Sequence, residues 1–303
     1  MKGQDGPVAG GGPADGRAPG TLVVKLGGSV LHELSSAWWD DLAALTRSGT
    51  RTVLVHGWSK QLAALDPAHG RPEAFVRDRH GNRSRLTTPG VLADIRQVST
   101  SIHAYVADQL AHRDLTTHHI LGSDGLLSAH PGERLWWQGR ALVEIDNLVG
   151  PPHRVDATRL ADAAAHADCT LVTPLARDPH GRVVNTDADR AAAALAAALR
   201  APCLVLVTDV PHVLVGGRPV RRLALSAVSG LRREATGGMR KKLHATAEAL
   251  RCQVPRVVIG NGPVSSLAGG RRGTLIEGPS ADEARKRHAS GDRHDDGSGT
   301  RGR

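Results

Sequence analysis

Short apolar runs alternate with amphipathic stretches along most of this chain, and no other feature restricts its possible folds as strongly. The runs Thr21–Leu26, Thr52–Val55, Thr117–Leu121, Cys169–Pro174, Cys203–Thr208 and Arg256–Ile259 have the length and composition of buried strands. Helical periodicity occupies Trp38–Ser48, Gly90–His112, Asp156–Ala167, Asp189–Leu199 and Gly238–Arg251. Asp156 is placed to cap its helix, and Asp189 opens an alanine-rich run of high helix propensity. Strands separated by helices predict an α/β fold with a mainly parallel sheet covered on both faces. Residues 125–150, with Trp136–Trp137 and two runs around Gly139, read instead as a hairpin insertion.

The two ends lack this pattern. Residues 1–20 are rich in Gly, Pro, Ala and Asp, residues 279–303 are polar and charged, and both are expected to be disordered. Only 2% of the 303 residues are aromatic, so the core must be built from Ala, Val and Leu. No stretch of about 18 apolar residues and no charged-then-apolar leader occurs, so neither a membrane span nor a secretory signal is expected, and the expected compartment is the cytoplasm. Cys169, Cys203 and Cys252 are far apart and form no C-x-x-C pair, which points to buried thiols rather than a disulfide framework or a metal site. The formal charge is +9, and because residues 1–20 sum to zero and residues 279–303 to +1, nearly all of it lies on the body. A basic body suits an anionic partner: nucleic acid, nucleotide phosphates with an acidic substrate, or an acidic protein. No helix-turn-helix, zinc knuckle or aromatic platform supports the first of these.

Parallel sheets hold ligands at the carboxyl ends of their strands, and five segments there carry the chemistry. Lys25-Leu26-Gly27-Gly28-Ser29 ends the first run; paired glycines let backbone N–H groups approach phosphate oxygens, and the lysine adds positive charge. Taken alone, such a pair is most often only a turn. His56-Gly57-Trp58-Ser59-Lys60 follows the second run, and Asn185-Thr186-Asp187-Ala188-Asp189 precedes the alanine helix. Thr208-Asp209-Val210-Pro211 ends another strand, and Thr236-Gly237-Gly238-Met239-Arg240-Lys241-Lys242 opens a basic helix. Each has a plain structural reading as a loop, cap or solvated helix start. No G-x-x-x-x-G-K-[ST] is present, which disfavours a P-loop enzyme.

In this order the five segments resemble the amino-acid kinase family over about residues 21–277, whose usual strings are close to KxGGS, HGGG, NxNAD, TDVPGV and GGMxxK. The resemblance implies a three-layer αβα sandwich, with an acceptor-binding lobe over residues 21–175 and a nucleotide-binding lobe over residues 176–278. The segment Gly81-Asn82-Arg83-Ser84-Arg85-Leu86-Thr87 is similar to the acetylglutamate kinase branch. Its R-S-R-x-T form is closer to the subgroup acting on glutamate or aminoadipate attached to an acidic amino-group carrier protein. Three departures stand out: Trp58 and Ser59 where the family has glycines, Asp187 where a second Asn is common, and His212 in place of the glycine after T-D-V-P.

The implied roles follow position by position. Lys25 and Lys242 match the two phosphate lysines, Asp189 the acid that orients them, and Gly27, Gly28 and Gly238 the phosphate-binding turns. Gly57, Trp58, Arg85 and Asn185 fall on the substrate side, with Arg85 gripping a carboxylate, and Thr208 and Asp209 on the nucleotide side. The expected cofactors are ATP and Mg²⁺, the ion held through the nucleotide phosphates with no protein metal site. The expected partner is an acidic acceptor, free or carried by an amino-group carrier protein, with no nucleic acid, no membrane and a homodimer as the resemblance's usual assembly. A kinase of free N-acetylglutamate and a catalytically silent homologue are the alternative readings.

Overall fold

A computed structural model describes residues 20–278. The tails expected to be disordered lie outside the described residues, apart from Gly20. The central sheet has eight strands in the order β16 (Arg222–Ala224), β18 (Thr274–Glu277), β17 (Arg256–Gly260), β13 (Leu204–Val207), β1 (Leu22–Leu26), β2 (Thr52–His56), β10 (Cys169–Thr173) and β5 (Thr117–Leu121). From β17 to β5 every pairing is parallel; β18 runs antiparallel to β17 and carries β16 parallel beside it. All residues of β1, β2, β10 and β13 are buried, as strands covered on both faces must be.

The helices are α1 (Ser36–Arg47), α2 (Ser59–Leu65), α3 (Pro89–Ala111), α4 (Ala157–His166), α5 (Ala188–Ala198), α6 (Leu225–Glu234), α7 (Gly237–Arg251) and α8 (Val264–Ala268). Helices α4, α5 and α7 pack on one face of the sheet, and α3 and α8, with α1 against both, on the other. In register along β1 and β2, Lys25 stands beside Val55 and Leu26 beside His56, so alternation sends Lys25 toward α5 and His56 toward α3. That single-residue offset separates the charged centre from a histidine cluster described below.

Smaller sheets sit at the carboxyl end of the large one. β7 (Leu135–Gln138) and β8 (Ala141–Glu144) form the expected hairpin around Gly139, whose φ is +62°. It joins β3 (Phe75–Asp78) and β4 (Arg83–Arg85) in one four-stranded sheet, so the insertion read over residues 125–150 is broader than a hairpin. A second four-stranded sheet contains β6 (Leu127–Ala129), β9 (Pro152–Val155), β11 (Leu175–Arg177) and β12 (Val183–Asn185). β14 (Val213–Val215) and β15 (Arg218–Val220) pair across Gly216 and Gly217, at φ +56° and +77°, the conformation that a tight two-residue hairpin demands.

Three expectations need correction. β5 is an edge strand with Thr117, His118 and His119 exposed, rather than a buried run. Cys169 and Cys203 are buried as expected, but Cys252 is exposed at the end of α7. Asp189 does not open the alanine helix: Asp187 caps it, accepting from the Asp189 and Arg190 N–H groups at 3.0 and 3.2 Å, and Asp189 occupies the first turn. Asp156 does cap α4, accepting from the Arg159 N–H at 2.9 Å.

Candidate active site

The end of β1, the first turn of α5 and the second turn of α7 converge on one carboxylate. Lys25 Nζ lies 2.8 Å from Asp189 Oδ1, and Lys242 Nζ lies 3.5 Å from Asp189 Oδ2. All three residues are more than nine-tenths buried, so two ammonium groups share one carboxylate in a place poor in water. Burial, then the neighbouring Lys25 charge, depress the Lys242 ammonium below its usual range against the pull of Asp189 and Asp187. The surplus positive charge is what an incoming anion would relieve. Lys241, one residue earlier, pairs with Asp187 at 3.1 Å. Burial works to raise the Asp187 carboxyl, but Lys241, Lys25 and the Arg190 N–H outweigh it and hold it well below the usual carboxylate range.

The glycines explain the shape beside this charge. A Cβ added to Gly28 would lie 3.0 Å from backbone atoms of Gly57, Trp58 and Ser59, and one added to Gly57 would lie 3.2 Å from the Gly28 nitrogen. The loops after β1 and β2 therefore touch backbone to backbone, which no larger residue would permit. Gly27 is similarly restricted by the Val207 carbonyl oxygen at 3.3 Å. The Gly57 N–H donates to the Leu26 carbonyl at 3.0 Å, so this glycine contributes space rather than a free donor. On the opposite side Gly237, at φ +55°, turns the chain into α7, and a Cβ on Gly238 would stand 4.0 Å from Lys242 Nζ. Thr236 makes no side-chain cap there, which leaves the helix N-terminus able to receive an anion.

A second group forms between β4, β12 and the start of α3. Arg85 is buried, donates from Nη1 to the His69 carbonyl at 3.0 Å and lies over the Phe75 ring at 4.8 Å. Burial, then Arg83, lower its pKa. Asn185 Nδ2 donates to Thr87 Oγ1 at 3.2 Å, Thr87 Oγ1 donates to the Arg85 carbonyl at 3.3 Å, and the Thr87 N–H donates to Asn147 Oδ1 at 2.7 Å. The sequence brought Arg85 and Asn185 forward separately; Thr87 joins them. Asn147 had no signal, since nothing near it distinguishes it from a loop polar residue.

Trp58 is buried, with its ring edge-on to His56 at 5.9 Å, packed toward α3. Thr208 Oγ1 donates to Asp209 Oδ1 at 3.0 Å, and Asn261 Nδ2 donates to the Asp209 carbonyl at 3.3 Å. These two residues follow β13, next to β1 in the sheet, but neither contacts the lysine pair through a hydrogen bond or ion pair among the described residues. Among the described residues no group of three or more His, Cys, Asp or Glu could hold a metal ion, and no helix is long and apolar enough to cross a membrane.

The sequence profile of the Amino acid kinase family matches residues 20–261. A protein of Aeropyrum pernix, provisionally named a LysW-aminoadipate/LysW-glutamate kinase, is 36% identical over 265 residues, covering 85% of this chain and 97% of that protein. An acetylglutamate kinase of Geobacillus stearothermophilus is 33% identical over 236 residues, covering 76% of this chain and 85% of that protein. Among solved structures, smu.665 of Streptococcus mutans superposes with a TM-score of 0.71 at 20% identity, covering 85% of this chain and 98% of that one, a likeness of fold. Sequence profile, relatives and fold agree that the chain belongs to the amino-acid kinase family.

Proposed function

We propose that the protein moves the γ-phosphoryl group of ATP onto the side-chain carboxylate of an amino-blocked acidic amino acid of the glutamate or aminoadipate type, presented by an acidic carrier protein. The observation that carries the reading is the buried Lys25–Asp189–Lys242 arrangement beside glycine loops pressed backbone to backbone.

A carboxylate acceptor is already ionised at neutral pH, so the site has no need of a general base. Its task is to hold two anions together and to neutralise charge on the group in transit. Lys25 and Lys242 supply that neutralisation from opposite sides of Asp189, which fixes both ammonium groups in place. Gly27 and Gly28 admit phosphate oxygens close to the chain, and the open N-terminus of α7 at Gly237–Gly238 adds a favourable dipole. The residues fit a nucleotide that brings Mg²⁺ on its own phosphates, since Lys25 and Lys242 offer positive charge beside glycine loops that admit phosphate oxygens. That ion would screen phosphate charge. Thr208 and Asp209 serve the nucleotide side, within a lobe spanning residues 176–278. Arg85, oriented by its bond to His69, receives the acceptor's carboxylate with Asn185 and Thr87 beside it, within a lobe spanning residues 21–175.

Arg85→Lys is expected to raise the acceptor KM by about tenfold while leaving the ATP KM nearly unchanged, because lysine keeps the charge and loses the planar fork. Separate titration of the two substrates checks this. A selective rise in the ATP KM would move Arg85 to the nucleotide side.

The carrier-linked acceptor is supported by the R-S-R-x-T form at Arg83–Thr87 and by the exposed Arg71, Arg77, Arg79 and Arg83 in the segment that carries buried Arg85. A free amino acid uses one or two such charges, whereas a docking acidic protein uses a broad field. Activity on the carried acceptor should therefore fall about tenfold between roughly 0.05 M and 0.5 M salt, with ATP affinity much less affected. The 33% identity to an acetylglutamate kinase favours the second reading, free N-acetylglutamate as acceptor. Efficient acyl-phosphate formation from free N-acetylglutamate, trapped with hydroxylamine and indifferent to an acidic carrier, would establish that reading instead.

A further inference from the structure

A cavity of about 280 Å³ opens at the carboxyl end of β17, lined by Pro211, His212, Arg221, Asn261, Arg271 and Arg272. None of Lys25, Gly27, Gly28, Asp189 or Lys242 lines it, so it is separate from the phosphoryl-transfer centre. Its three arginines come from two separate segments, the link between β15 and β16 and the loop between α8 and β18. Among the described residues none of the three is ion-paired, although the adjacent Arg222 faces Glu277 at 3.9 Å. Arg271 Nη2 donates to the Ser265 carbonyl at 3.3 Å, which holds that side chain over the loop. His212, a departure from the family string with no role in the transfer centre, is part of the lining.

We infer that this cavity is a second anion site, taking a small polyanion of the diphosphate or tricarboxylate class. Three exposed arginines from two segments line this one concavity, and among the described residues no carboxylate pairs with any of them. A ligand with several anionic oxygens would accept paired N–H donors from each, the geometry that guanidinium groups serve best. The volume of about 280 Å³ holds a molecule of that size. The site is also tied to the loop that follows β13. Asn261 holds the Asp209 carbonyl, and the Val213 N–H donates to Thr274 Oγ1 at 2.9 Å, next to Gly273 at the rim. An occupant would thus brace the segment Thr208–Val213; that consequence rests on the nucleotide-side reading of Thr208 and Asp209, whereas the anion site does not.

The test is calorimetric titration of pyrophosphate, and separately citrate, into the full chain already saturated with a non-hydrolysable ATP analogue. We expect at least one of them to bind the saturated protein, and binding to weaken at least tenfold in the double variant Arg271→Ala/Arg272→Ala and in Arg221→Ala, which alters the other segment. Affinity for the analogue in the variants should stay within about threefold of wild type. Binding of both anions assigns the site to charge, and binding of one alone assigns it to that chemistry. Loss of all anion binding once the analogue is present, or equal binding by wild type and variants, would overturn the proposal. If the analogue itself fails to bind while arginine-dependent anion binding persists, the kinase reading falls and the anion site stands.

Discussion

Lys242→Ala is expected to lower turnover by roughly 10²–10³ while the protein remains folded, because an ammonium aimed at charge that develops only during transfer acts on the transition state. Removing it leaves Asp189 still paired with Lys25 at 2.8 Å, so no buried charge is orphaned. Asp189→Asn should reduce turnover to a similar degree by a different route: the two ammonium groups lose the carboxylate that separates them, and their mutual repulsion displaces both. Both Asp189 substitutions break the buried ion pairs, at a cost of about 3–5 kcal/mol, but Asp189→Ala is the less informative because it also removes the side chain's volume and hydrogen-bonding groups. Steady-state kinetics on variants whose circular dichroism and thermal midpoints have been checked would decide. If both retain near-wild-type turnover, the convergence of β1, α5 and α7 on Asp189 is structural and the phosphates bind elsewhere. If the wild type itself forms no acyl phosphate with either acceptor class, the silent-homologue reading takes over.

The sheet was legible because burial on both faces forces continuous apolar runs, and five of the six expected runs are interior strands of the sheet. β5 broke the rule since an edge strand needs apolar residues only where something covers it. The missed elements are those whose sequences carry no strong period: α2 is seven residues long, and α6 buries only Val228. The lysine pair and its carboxylate could be named from motifs, but not the identity of the cap, because Asp187 and Asp189 are both good capping residues and only the backbone selects between them. The hydrogen bonds from Asn185 to Thr87 and from Thr87 to Asn147 join residues 98 and 60 positions apart, a relation that no local pattern encodes. Trp58 stands where the family has a glycine; its ring is found against His56, and that contact leads to a feature with no sequence signature.

Three histidines from separate elements meet under the sheet's carboxyl end. His56 Nε2 lies 3.1 Å from His103 Nε2, and the Thr173 hydroxyl lies within 3.0 to 3.4 Å of the Nε2 atoms of His56, His103 and His119. Burial, then His119, depress His56 to about 3; burial, then His56, depress His103 to about 2; burial, then His118, depress His119 to about 4. All three are neutral in the folded protein near pH 7, while in the unfolded chain each would take up a proton near pH 6.5. Folded values below unfolded ones mean that the unfolded state binds more protons, so the stability they confer is present above about pH 6.5 and is lost as pH falls. His56, fully buried, and the half-buried His103 each contribute a slope of up to about 1.4 kcal/mol per pH unit below that point; the exposed His119 contributes less because solvent screens it. Between pH 6 and pH 4 the loss is on the order of a few kcal/mol, a large share of the about 5–15 kcal/mol that holds a typical domain folded. Denaturant unfolding should therefore show a steep decline that begins near pH 6.5, above the range in which carboxylates titrate. His103→Gln removes one titrating group and should flatten the slope by about one proton, whatever it does to stability at pH 7. An unfolding free energy that stays level from pH 6.5 to pH 4.5 in the wild type, or a variant slope identical to it, would show that the cluster does not stay neutral in the folded protein.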